Sequence, residues 1–136
     1  MLSSLDLSTS ALVAQRTRLN AISSNIANMS TTRNERGESV PYQARYVTFQ
    51  TDTKNTTSGG GAGVKMGSVE YSNAPARMKY EPGHPDADAQ GYVHYPAIDM
   101  TTEFVDALEA SRAYEANIGV IEVSKDMAQH TLRIVA

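Results

Sequence analysis

The sequence predicts an α+β fold. Long N- and C-terminal helices pair as a coiled-coil-like domain, with a small β-rich insert of hairpins between them. Three observations predict this. Apolar residues recur at helical spacing over residues 5–29. They do so again over residues 98–136, which contain neither Gly nor Pro except Gly119. The middle of the chain instead mixes aromatic and β-branched residues with polar ones and is punctuated by Gly and Pro.

The first helix is expected from about Leu5 to Met29. Leu5, Leu12, Leu19 and Ile26 repeat every seven residues, and Ile22 and Met29 add offset positions. Such a repeat is a coiled-coil signal, diluted here by the polar Ser8 and Gln15. Ser3, Ser4, Ser8 and Ser10 are N-cap candidates. The helix should fray into Ser30-Thr31-Thr32, followed by a polar turn ending at Gly37.

The insert reads as short strands. Val40–Gln50 carries Tyr42, Tyr46, Val47 and Phe49 at strand-like density. The stretch 51–63, TDTKNTTSGGGAG, has no side chain suited to a core and is expected as a flexible loop or hairpin tip. Strand character resumes over 64–71 and 76–80. It returns at 92–95, after the turn-rich EPGHPDADAQG, and Pro96 closes the segment.

The last helix starts at Asp99 or Thr101 as N-cap, with Glu103 suited to the positive end of the helix dipole. At 1.5 Å per residue it is about 55–60 Å long. It carries two apolar stripes. One reads Tyr114, Ile118, Ile121, Lys125, Ala128, Leu132, Val135; the other Ala113, Ala116, Val120, Val123, Met127, His130, Ile134. A helix hides one stripe against one neighbour, and a second stripe calls for a second neighbour. The second stripe is therefore expected to remain wet in a two-helix hairpin and to mark a contact site. The terminal helices should order fully only when neighbours arrive. The predicted organisation is residues 1–33 as first helix, 34–97 as β-rich insert with the loop 51–63, and 98–136 as last helix.

Polar residues within the helices have two readings. Lys125 snorkels from the stripe's edge or pairs with an acid on a neighbour. Asn25, Asn28 and Asn117 can fix register in a seam, although plain solvent exposure is the simpler expectation for each. Charge is uneven. Residues 1–36 carry four arginines against Asp6 and Glu35, whereas 98–136 carry three cations against seven acids. A basic first helix thus matches an acidic last one, although exposed pairs are individually weak.

Composition excludes several functions. The formal net charge of −3 argues against generic nucleic-acid binding. No apolar run approaches the roughly 20 residues that span a bilayer, so no membrane insertion is expected. Met1–Ser10 shows no basic and apolar leader regions, so no cleaved signal peptide is expected. The absence of Cys excludes disulfides and thiol chemistry. Asp86-Ala87-Asp88-Ala89-Gln90-Gly91 imitates the opening of a calcium loop, but the twelfth position falls on Ala97, and a run of Asx turns is the expected structure. His84, His94, Asp86 and Asp88 match no metal or acid–base spacing, and the glycines at 59, 60, 61 and 63 are not followed by the Lys-Ser/Thr of a phosphate loop. No catalytic, cofactor-binding or metal residue is predicted, and no cofactor.

Three motifs carry a resemblance. Ser24-Asn25-Ile26-Ala27-Asn28 with Thr31 resembles the N-terminal signature of the bacterial flagellar axial proteins, the rod and hook family. Ser111-Arg112-Ala113-Tyr114-Glu115-Ala116-Asn117 resembles their C-terminal signature. The central Tyr80-Glu81-Pro82-Gly83-His84-Pro85-Asp86-Ala87-Asp88, leading to Gly91-Tyr92-Val93, is similar to the proximal-rod members. Together the motifs span nearly the whole chain. Ala97 departs from the pattern, where Asn is expected.

The resemblance implies a structural subunit of the proximal rod that polymerises through its terminal helices into a tube, transmits motor torque and forms part of the export channel. It implies export by the flagellar type III apparatus without a cleaved signal, and a periplasmic place in the basal body. The implied partners are further copies of the chain, other proximal- and distal-rod proteins and the rod-base adaptor. The helix-packing or inter-subunit residues would be Leu5, Leu12, Leu19, Ile22, Asn25, Ile26, Asn28, Met29, Tyr114, Asn117, Ile118, Val120, Ile121, Met127, Leu132 and Val135. A coiled-coil interaction module unrelated to flagella is the alternative. The EPGHPDAD segment, which such a module has no reason to carry, separates the two.

Overall fold

A computed structural model describes residues 2–56 and 60–135, without the side chains of residues 2–4, 55 and 135. Helix α1 is Leu2–Ala27 and helix α2 is Met100–Val135. Between them lie β1 (Arg45–Thr56), β2 (Ala62–Tyr71), β3 (Arg77–Tyr80) and β4 (Tyr92–Tyr95). The strands form two separate two-stranded sheets, β1–β2 and β3–β4. The predicted order of helix, hairpin insert and helix is thus observed.

The hydroxyls of α1 turn back onto their own helix. Thr9 Oγ1 donates to the Leu5 carbonyl at 2.8 Å and Thr17 Oγ1 to the Val13 carbonyl at 2.9 Å. This satisfies each hydroxyl locally. The helix stops at Ala27, two residues before the expected end, because Asn28 folds back and its Nδ2 donates to the Ser24 carbonyl at 2.9 Å. The polar turn that follows closes where expected, at Gly37 with φ of 79°. Asn34 Oδ1 there accepts the N–H groups of Arg36 and Glu38, an Asx arrangement.

One element differs from expectation. Residues 51–56, expected within a flexible loop or hairpin tip, continue β1, and Ala62 and Gly63 already belong to β2. The connection is thereby reduced to residues 57–61, of which 57–59 lie outside the described residues. The Thr-rich segment lacks core side chains, but a two-stranded ribbon needs β-propensity and pairing rather than a buried face. Lacking a heavy side chain, Gly67 admits a close approach: a Cβ there would lie 2.9 Å from Thr48 Oγ1. At the other end, β1 starts at Arg45 rather than Val40.

The chain forms two compact units. The first comprises Met1–Leu19, Val47–Ser68 and Ala107–Ala136. Among the described residues its buried apolar side chains are small, Ala14 and Ala110. Arg18 Nη1 lies 3.6 Å from Glu109 Oε1, and the Val64 N–H donates to Ser10 Oγ at 3.1 Å. Arg18–Glu109 is a solvent-accessible pair in the sense of the expected match of basic α1 to acidic α2, a small contribution.

The second unit comprises Asn20–Tyr46 and Val69–Asp106. Ile22, Ala44, Val93 and Ile98 are its buried apolar residues. Strands β3 and β4 pair antiparallel with Tyr80 opposite Tyr92 and Met78 opposite His94. The alternation buries Val93 and leaves Met78, Tyr80 and Tyr92 exposed. Asp99 caps α2, its Oδ1 accepting the Thr101 N–H at 2.8 Å.

Candidate functional site

The second unit is organised around Asn25, whose side chain is fully buried. Its Nδ2 donates to the Arg45 carbonyl at 3.0 Å and to both Glu103 carboxylate oxygens, at 3.2 and 3.3 Å. Its Oδ1 accepts the Arg45 N–H at 2.8 Å and the Tyr42 hydroxyl at 3.2 Å. Both amide hydrogens and both lone pairs are therefore used. The Asn25 side chain meets the Arg45 backbone as a neighbouring strand would, and this sets where β1 begins. The expectation of solvent exposure is wrong for Asn25. Asn28 and Asn117 are half-buried and donate to carbonyls of their own helix, Asn117 to Ala113 at 2.8 Å.

Glu103 is only 4% exposed. Burial pushes its carboxyl above the ordinary range, against the Asn25 hydrogen bond, which lowers it, and with nearby Asp106, which raises it further. Its role is thus a buried partner for α1, and not only a favourable charge at a helix start. Sequence reasoning missed this role, although a signal existed. Glu103, Ala107, Ala110 and Tyr114 continue the first apolar stripe at spacings of four and three, which marks Glu103 as inward-facing.

The rest of the N-terminal signature secures the turn after α1. Ser24 Oγ lies 3.2 Å from the Tyr42 hydroxyl, Thr31 Oγ1 donates to Asn28 Oδ1 at 3.1 Å, and the Tyr42 N–H donates to the Thr31 carbonyl. Thr32 Oγ1 donates to Asp86 Oδ2 at 2.7 Å and Arg33 Nε to Asp86 Oδ1 at 2.5 Å. The central EPGHPDAD segment therefore ties down the turn. The Thr32 hydroxyl, followed by Arg33, holds the Asp86 carboxyl below its ordinary range.

The remaining acids of that segment are also engaged. Asp88 Oδ1 accepts the N–H groups of Gln90 and Tyr92, the expected Asx turn, and these bonds, Tyr92 first, lower its pKa. Glu81 accepts Lys79 Nζ at 2.6 Å and the Tyr95 hydroxyl at 2.8 Å, again with a lowered pKa. His94 Nε2 lies 3.6 Å from Asp88 Oδ2, and His84 Nδ1 accepts the Asp86 N–H. The polar groups of the segment hold its own backbone and the turn after α1.

The other predicted packing residues fall into two groups. Leu5, Leu12, Leu19, Ile26 and Met29 are half-buried and Ile22 is buried, as their spacing implies. Tyr114 and Ile121 of the first α2 stripe are half-buried. Ile118 and Leu132 of that stripe are exposed, Leu132 at 70%. The second stripe is wet from Ala116 on: Val120, Val123, Met127 and Ile134 are exposed, Ile134 at 85%. Val135 and the N-cap candidates Ser3 and Ser4 lie outside the described side chains.

A buried polar clamp near the end of α1 and an exposed apolar strip on α2 are what a subunit of a larger assembly would need. Comparison with known proteins decides the family. Residues 5–33 match the family profile described as flagella basal body rod protein, and 89–134 that of the flagellar basal body rod FlgEFG protein C-terminal region. The chain is 43% identical over 134 residues to the flagellar basal-body rod protein FlgC of Salmonella typhimurium, covering 98% of this chain and 97% of that one. The FlgC proteins of Borreliella burgdorferi and Bacillus subtilis are each 38% identical, over 99% and 96% of this chain and 97% and 95% of theirs. The chain belongs to the FlgC family of flagellar basal-body rod proteins. FlgC proteins are structural rod components, not enzymes, and the chain is a structural subunit of the basal-body rod that assembles with other rod proteins. Both helix signatures lie within the matched segments. The Asn25 clamp gives the first of them a physical basis within a single chain.

Proposed function

We propose that the terminal helices pair as a coiled-coil-like domain and polymerise, with copies of this chain and with other proximal- and distal-rod proteins and the rod-base adaptor, into the tubular proximal rod. The tube transmits torque and forms part of the channel of the type III export apparatus. The chain takes its periplasmic place in the basal body by way of that apparatus, and it binds no nucleic acid and inserts into no membrane. Residues 1–33 and 98–136 are the assembling part and 34–97 the insert.

The observation that carries this reading is the exposed strip Val120, Val123, Met127, Leu132 and Ile134 on α2. Apolar strips of this kind mark contact sites, and each large side chain removed from water contributes about 1.5–3 kcal/mol. One contact between the helices in each unit, Asn25–Glu103 and Arg18–Glu109, supports antiparallel pairing. Continued at equal rise from Arg18–Glu109, Leu2 comes level with about residue 125. The last turns of α2 would then extend beyond α1, in keeping with the exposure of Leu132 and Ile134. Up to about residue 125 the first stripe faces the chain's own α1; its end, with Leu132, and the second stripe face a neighbour. Asn25 and Asn28 act on assembly indirectly, by fixing the end of α1.

Replacing Leu132 with Asp tests the reading more cleanly than replacing half-buried Ile121. The substituted chain should be made and exported at normal levels and be missing from isolated basal bodies. Normal motility and normal incorporation would refute the packing role.

A further inference from the structure

Glu103 and Asn25 meet in an arrangement that responds to protons. An ionised carboxylate offers about four lone-pair sites, and it is costly to bury unless they are filled. Here the Asn25 donor is shared between both oxygens, at 3.2 and 3.3 Å, and Asn25 has no further hydrogen to give, because its other N–H goes to Arg45. The charged neighbour on α2 is Asp106, of like sign. From β1 the neighbour is Tyr46, whose hydroxyl is raised by burial, then by Glu103 and Asp106. The segment before β1 contributes Tyr42, with the Arg45 guanidinium over its ring at 5.6 Å rather than on the carboxylate. From α1 come the uncharged Asn25 and Ser24. The first-turn dipole of α2 favours the anion, but burial outweighs it.

We propose that the buried Asn25–Glu103 pair makes the junction of α1 and α2 proton-dependent, more stable when the Glu103 carboxyl takes up a proton and less stable when it loses it, because removing the buried charge outweighs the weaker hydrogen bond. The neutral acid keeps an acceptor for Asn25 without a buried charge. The sign follows from linkage. The folded chain holds this proton to higher pH than the unfolded chain, so stability is fullest below the unfolded value, near the ordinary 4.5, and is lost as pH rises through the raised folded one. The inference concerns one chain and does not rest on the rod reading.

The test uses the full chain as a dilute monomer. Urea unfolding followed by circular dichroism, from pH 4 to 8, should show an unfolding constant that rises with pH by up to about tenfold per unit within the window between the two values. In Glu103→Gln that rise should be absent, so the ratio of the two unfolding constants changes steadily with pH. Parallel profiles overturn the proposal. A second readout needs no variant: the 13C shift of the Glu103 carboxyl in the wild-type chain should titrate above 4.5. Titration at or below that value overturns the proposal even if Glu103→Gln does not fold.

Discussion

The surroundings of Asn25 and the last turns of α2 are built on opposite principles. Around Asn25 the chain buries polar groups and satisfies them one by one, with Arg45, Tyr42 and Glu103 as partners. Toward the end of α2 it does the reverse and leaves Val123, Met127, Leu132 and Ile134 in water. The first arrangement fixes one geometry within one chain, because a buried amide with every valence filled has no second solution of equal energy. The second fixes nothing within the chain and stores apolar area for contact with another. A subunit that must fold one way and then polymerise needs both kinds of surface, kept apart.

Substitutions should separate them. The largest effect on the isolated chain is expected from Asn25→Ala. It strips the Arg45 backbone groups and Glu103 of their buried partner, and loss of about 3 kcal/mol or more in chemical denaturation is expected. An exposed apolar residue behaves oppositely. Val123→Asp should leave denaturation of the monomer within about 0.5 kcal/mol of wild type and remove the chain from basal bodies. Were Val123→Asp to unfold the monomer, the strip would be core and the contrast would fail.

Smaller effects sharpen the picture. Gly91 has φ of 85°, and a Cβ there would lie 2.8 Å from the Tyr80 ring. Gly91→Ala should therefore cost about 1–2 kcal/mol, read in thermal unfolding. Acid acts through the EPGHPDAD segment. Asp86, Asp88 and Glu81 have lowered pKa values, so what they contribute is present above the ordinary carboxyl range and lost as pH falls through their folded values. Asp86→Asn should flatten this acid limb of the stability profile, a limb of opposite sign to that of Glu103. Least of all, Glu109→Ala, which removes a solvent-accessible partner of Arg18, should change denaturation by less than about 1 kcal/mol.

Much of this was legible in the sequence for a physical reason. Leu5, Leu12, Leu19 and Ile26 announce α1 because burial and periodicity are coupled, and both stripes of α2 were readable, including the one that stays wet. The two short strands β3 and β4 appeared where Tyr and Val cluster between turns. What could not be read was which asparagine is internal. Asn25 has the same side chain as Asn28 and Asn117, and only the chain's path past Arg45 twenty residues later makes it the buried one. The loop or hairpin tip expected over 51–63 is shorter than that, because a ribbon's pairing partner, unlike a core face, leaves no hydrophobic pattern in residues 51–56. Of the buried polar cluster, Asn25 was among the expected packing residues, whereas its partners Tyr42, Arg45 and Glu103 emerged in three dimensions.

The central claim is that folding and assembly rest on different faces. The most direct test measures the abundance of a Val123→Asp, Leu132→Asp chain in isolated basal bodies, beside its denaturation midpoint as a purified monomer. The account predicts an unchanged midpoint and a chain absent from the basal body. A chain incorporated at wild-type abundance would contradict it.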